Sequence, residues 1–198
     1  LSVHYSRVSD LLGPDLMMTE PSTSYASYRD SFGNWCDRLV APAGQFTMRA
    51  DTMINVSGLP DEVAPTAVQH AVEDLPEETL LFLLPSRYCE SDKLLETAWQ
   101  LFGQTPPTWE RVQRISEWVH QHVSFGYQWA RPSKTAWETF HEQQGVCRDF
   151  AHLGVALCRA MNIPARYCTG YLGDIGVPVS PDPMDFSGWF EVFMGGRW

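Results

Sequence analysis

The stretch from Gly145 to Pro164 leaves the chain little choice but one long helix, and that helix constrains everything packed around it. Cys147, Ala151, Gly154, Cys158 and Met161 recur at spacings of 4, 3, 4 and 3 residues, the period of a single helical face. Their small side chains let another element approach closely. The helix begins at Val146 or Cys147 and runs to Met161, where Asn162 offers a left-handed stop and Pro164 cannot continue it. Cys147 therefore stands at a helix N-terminus, where unpaired backbone N–H groups and the helix dipole favour a thiolate. Gly145 lets the chain turn sharply into the helix and leaves room beside the sulfur. A buried structural cysteine fits the same local residues, since free Cys packs as a small hydrophobe.

Upstream, Ser91 can cap a helix carrying Leu94, Leu95, Ala98, Trp99 and Phe102, which Gly103 ends. Thr108 precedes a second amphipathic stretch with Val112, Ile115 and Val119 on one face. Thr135 and Glu138 have capping-box spacing and start a third, which stops before Gly145. After the long helix, Ala165 to Tyr171 and Gly188 to Met194 read as strands. Helices followed by strands point to an α+β domain over 85–198.

The first 84 residues read differently, as a small all-β region. Trp35 to Val40 forms one strand, Pro42-Ala43-Gly44 a turn, and Phe46, Met48 and Ala50 alternate with Thr47, Arg49 and Asp51. Residues 75–91 form the crossing between the two regions, although Leu80 to Leu84 also reads as a buried strand.

With 8 Trp, 7 Tyr and 10 Phe, the chain has too many large packing groups to be disordered. A formal net charge of −10 without any run of Lys or Arg repels phosphate backbones and anionic lipid, so neither nucleic acid nor a membrane is an expected partner. A cytoplasmic protein is the expectation, because no apolar stretch reaches the roughly 18 residues of a membrane span and Leu1 to Ser9 carry no signal-peptide core. Five cysteines without ligand spacing predict at least one free thiol and no metal site. The chain opens without Met and closes just after a Gly195-Gly196 hairpin signal, so it reads as truncated at both ends.

Three separated blocks carry a resemblance. Gly145-Val146-Cys147-Arg148-Asp149-Phe150-Ala151-His152-Leu153, then Ile163-Pro164-Ala165-Arg166-Tyr167 with Gly170-Tyr171, then Trp189-Phe190-Glu191-Val192 and Gly196-Arg197-Trp198 resemble the bacterial transglutaminase-like family in order and spacing. Tyr28 to Trp35 is similar to the β region that precedes this domain in many members. The resemblance implies a papain-like catalytic domain, with helices packed on an antiparallel sheet. It also implies a Cys-His-Asp arrangement that attacks amides of a peptide or protein without a cofactor.

Cys147 corresponds to the family's nucleophile. The family's His falls at Ser187, in Ser187-Gly188-Trp189, and the family's Asp would follow Trp198. A hydroxyl has no titration near neutral pH and cannot replace imidazole as a base. Either another group serves, or the fold persists as a module that binds a peptide or protein partner with weakened chemistry. His152 is the nearest histidine in sequence, but five residues rotate it about 140° from Cys147. Tyr127 and Trp129 correspond loosely to the family's aromatic cleft residues, with simple packing as the competing reading. Trp189 counts with the cleft, Asp185 precedes the strand facing Cys147, and Asp149 either pairs with Arg148 at the cleft edge or faces solvent. His120, His122 and His141 sit near helix ends and read as structural.

Overall fold

The computed structural model describes residues 2–59, 62–172, 178 and 186–198. Compact units run Leu1–Asp61 and Glu62–Trp198.

In the first unit, β1 (Met17–Glu20), β2 (Tyr25–Arg29), β3 (Trp35–Leu39) and β4 (Thr47–Ala50) form two antiparallel pairs. The β2–β3 hairpin sets Arg29 opposite Trp35, and β1 lies against β4 with Met17 opposite Ala50. Asp30 builds the hairpin turn by accepting from the N–H groups of Phe32 at 2.9 Å and Asn34 at 2.8 Å, and from Asn34 Nδ2 at 3.0 Å. Those bonds, the Asn34 side chain first, hold its carboxyl below the usual range. The two stretches read as strands on either side of Pro42 to Gly44 are strands, but each pairs with an earlier partner instead of with the other. The Asp30 turn already gives β3 a neighbour, so β4 crosses to β1.

The second unit starts earlier than the sequence boundary at 84/85. Residues 62–84 pack with it: Val68 bridges to Thr108, and Gln69 Nε2 donates to the Met161 carbonyl at 2.8 Å. Within that segment α1 (Glu77–Leu80) runs into a 3₁₀ turn at Leu81–Leu83, so Leu80 to Leu83 is helical and not a strand, and Leu84 is its extended C-cap. Pro76 and the acidic Glu77-Glu78 suit a helix N-terminus better than a sheet.

Next come α2 (Leu95–Phe102), α3 (Trp109–His122), β5 (Ser124–Phe125), α4 (Ala136–Glu142), β6 (Gln144–Gly145) and α5 (Cys147–Ala160). They are followed by β7 (Ala165–Gly170) and β8 (Ser187–Val192). Ser91 lies in a turn ahead of α2 and the N-cap is Leu94. Thr108 caps α3 by accepting from Glu110 N–H. The Thr135–Glu138 capping box forms at the start of α4. Asn162 takes φ 60 after α5, the left-handed stop that its short amide tolerates.

The core is built on α5, where Leu153, Val155, Ala156, Leu157 and Cys158 are fully buried. Burying a side chain such as Leu153 stabilises by about 1.5–3 kcal/mol. β7 and β8 are antiparallel, with Ala165 opposite Val192 and Gly170 opposite Ser187. The small face of α5 receives β8: a Cβ on Gly154 would stand 2.5 Å from the Phe190 ring. With α5 against the antiparallel pair and α2, α3 and α4 packed around α5, this is an α+β domain. Beyond β8, Met194 and Arg197 close a hairpin over Gly195 and Gly196, both at positive φ.

Candidate active site

Cys147 is the first residue of α5 and half-buried. Val146 has an extended backbone at the N-cap and cannot cap with its side chain, so the carboxylate of Asp149 does the work by accepting from Val146 N–H at 2.9 Å. Asp149 is completely buried. Its other oxygen accepts from Arg148 Nη2 at 3.0 Å and Nε at 3.3 Å. The charged pair anticipated for these two residues therefore forms, and Asp149 does not face solvent. Gly145 is required by the same geometry, since a Cβ there would stand 2.7 Å from the Asp149 carboxylate. Among the described residues, nothing accepts from the N–H groups of Cys147 and Arg148. Among those residues they are left open at the helix N-terminus.

Two segments flank the thiol. β5 runs parallel to β6, and Gly126 N–H donates to the Gly145 carbonyl at 3.0 Å. This brings the turn Tyr127–Trp129 beside the start of α5. Tyr127 is 70% exposed and meets Phe125 edge-on at 5.3 Å; Trp129 is half-buried. On the other side, a Cβ on Gly188 would stand 2.8 Å from the Tyr167 hydroxyl oxygen and 3.3 Å from Cα of Arg148. The start of β8 thus lies against the first turn of α5, with the Tyr167 hydroxyl in the same place. Burial pushes the Tyr167 phenol up, and the neighbouring Cys147 adds to the rise. It therefore stays protonated at neutral pH and can donate a hydrogen bond.

Strand alternation sorts the remaining residues. Gly188 and Phe190 face α5, so Ser187, Trp189 and Glu191 belong to the opposite face, where Arg166 pairs with Glu191 at 2.6 Å. Ser187 is adjacent in sequence to the contact with Arg148, and its carbonyl accepts from the Thr169 hydroxyl at 3.0 Å. Asp185 lies outside the described residues. His152 is 6% exposed, its ring parallel to Tyr88 at 5.4 Å and tilted on Tyr167 at 4.9 Å. Burial, helped by Arg148, lowers its pKa to about 4, so it is neutral at pH 7. Among the described residues its Nδ1 has no hydrogen-bond partner. Among the described residues, no histidine hydrogen-bonds to Cys147, and no three His, Cys, Asp or Glu side chains converge as metal ligands.

Of the other thiols, Cys89 and Cys158 are buried and Cys168 is half-buried. Burial raises Cys89, pushes Cys158 up to about 12 and Cys168 up to about 11. A cavity of about 700 Å³ lined by His70, Asp74, Met194 and Arg197 does not include Cys147.

A family model described as the transglutaminase-like superfamily matches residues 97–198, from α2 through α5 to the hairpin after β8. The chain belongs to the transglutaminase-like superfamily. A crystal structure from Cytophaga hutchinsonii, named "Putative Cysteine Protease", is 32% identical with a TM-score of 0.81, over 95% of this chain and 63% of that one. The uncharacterized protein ML0607 of Mycobacterium leprae is 25% identical over 189 residues, 91% of this chain and 66% of that protein. The chain thus spans less than two thirds of the length of each of these relatives. The transglutaminase-like fold accounts for what sequence reasoning found, the Cys147 helix and the paired strands beside it. Sequence reasoning missed Tyr167 as a site residue. The signal was the alternation of Ala165, Tyr167 and Thr169, which places all three on the α5 side of β7.

Proposed function

We propose that this transglutaminase-like chain performs thiol-dependent acyl transfer, with Cys147 as the nucleophile. The sulfur attacks the carbonyl of a peptide or protein amide, the C–S bond forms, and the C–N bond breaks as the amine leaves with a proton. The acyl group then passes to water, as in a peptidase or amidase, or to another amine, as in a transglutaminase. The observation that carries the reading is Cys147 at the first position of α5, beside N–H donors that no described residue uses. Those donors favour the thiolate and would stabilise the oxyanion of the tetrahedral intermediate. The Cytophaga relative's name supports the same class.

A second reading rests on Ser187. With serine where the family's His is expected and the described histidines not bonded to Cys147, the same cleft would bind a peptide without turning it over. The two readings separate on casein and blocked peptide amides, offered with and without a primary amine. Acyl transfer predicts amine release or incorporation by the wild-type protein and none by Cys147→Ala. Undiminished turnover in Cys147→Ala would sink the proposal, and tight binding without turnover by the wild type would favour the second reading.

A further inference from the structure

Lys134 is fully buried, which is costly for an ammonium unless its partners are well placed. Its Nζ donates to the Gln144 carbonyl at 2.6 Å and pairs with Glu142 at 2.9 Å. Gln144 belongs to β6, just ahead of Cys147. Glu142 is gripped from its other side by Arg131, through two bonds of 2.9 and 2.6 Å, and Arg131 also pairs with Glu138 at 3.1 Å. The Arg131 carbonyl accepts from Arg148 Nη2 at 2.5 Å. Arg148 holds Asp149, and Asp149 holds Val146 N–H.

The run is continuous and its charges balance, with Arg131, Lys134 and Arg148 against Glu138, Glu142 and Asp149. It grips the main chain before the thiol at Gln144 and Val146 and the side chains after it at Arg148 and Asp149. None of its hydrogen bonds is made to the sulfur. Arg131 and Lys134 hold the Glu142 carboxyl down to about 2, so the run stays intact across the neutral range.

We infer that this run is a clamp on the start of α5, and that the buried Lys134 is a positioning residue for Cys147. The inference rests on Cys147 being the nucleophile. A local packing role would be met by an apolar side chain of the same length; a clamp requires a cation that reaches the Gln144 carbonyl and Glu142 together. Loosening it lets the first turn of α5 drift, so that the N–H groups no longer converge on the sulfur.

Lys134→Met keeps the bulk and removes the charge. In the folded variant, hydrogen exchange over 143–150 should quicken and iodoacetamide labelling of Cys147 at pH 7 should slow by about tenfold, as expected for a displaced helix start. If Lys134→Met does not fold, Glu142→Gln tests the same clamp from a partly exposed position, with a smaller effect in the same direction. Unchanged exchange and an unchanged labelling rate in a folded variant would overturn the inference. Should wild-type Cys147 label only in the free-thiol range, the nucleophile reading fails on its own, while the exchange measurement still reports whether the clamp exists.

Discussion

The two units are held by different forces. Among residues 2–59 none is buried, and large side chains such as Trp35 at 52% and Val40 at 86% stand exposed. This unit rests on ladder hydrogen bonds and on turns such as that of Asp30. The second unit surrounds α5 with side chains of zero exposure. Two-stranded ribbons are marginal in water without a buried face, whereas a packed helix gains from every methylene it removes from solvent. The difference teaches that strand periodicity alone says where strands form, while the core decides which part of the chain fixes a site.

The sharpest way to break that comparison is to cut a large apolar side chain from each unit. Leu153→Ala should destabilise the second unit by about 2–5 kcal/mol in urea unfolding followed by circular dichroism, and a loss under 1 kcal/mol would mean that α5 is not its core. Gly154→Ala drives a methyl into the Phe190 ring and should cost about 1–3 kcal/mol in the same assay, by overpacking. A smaller effect concerns His152, whose folded pKa of about 4 lies below the ordinary imidazole value of 6.5. The unfolded chain binds the proton more readily, so the stability His152 contributes is complete above about pH 6.5 and is lost as pH falls toward 4. Melting temperature measured across that window should fall less steeply in His152→Phe; parallel curves would show that His152 does not set the acid limb. Smallest of all, Trp35→Ala in the first unit should stay within about 0.5 kcal/mol. A cost comparable to that of Leu153→Ala would erase the distinction.

Much of the second unit was legible because its signals are local. Thr108, Thr135, Asn162 and Pro164 mark helix ends by their own chemistry, and the small face from Cys147 to Met161 announced the close approach that Phe190 makes over Gly154. Pairing was not legible. The partners of β3 and β4 depend on which strand reaches an open edge first, a choice set by the Asp30 turn and not by alternation. Leu80 to Leu84 has the composition of a strand, and only Pro76 with Glu77-Glu78 ahead of it tips the segment into a helix. In the site, Cys147 was legible from its place at a helix start. Lys134 was not, because its main partner is a backbone carbonyl ten residues away, and sequence pattern records side chains only.

On the proposed acyl-transfer reading, the start of α5 prepares Cys147 for nucleophilic attack. Iodoacetamide alkylation followed against pH and mapped cysteine by cysteine by mass spectrometry tests it most directly. Cys147 should label well below pH 8, while Cys89, Cys158 and Cys168, raised by burial, stay unlabelled. Labelling of Cys147 only above about pH 8.5, the free-cysteine value, would contradict the claim.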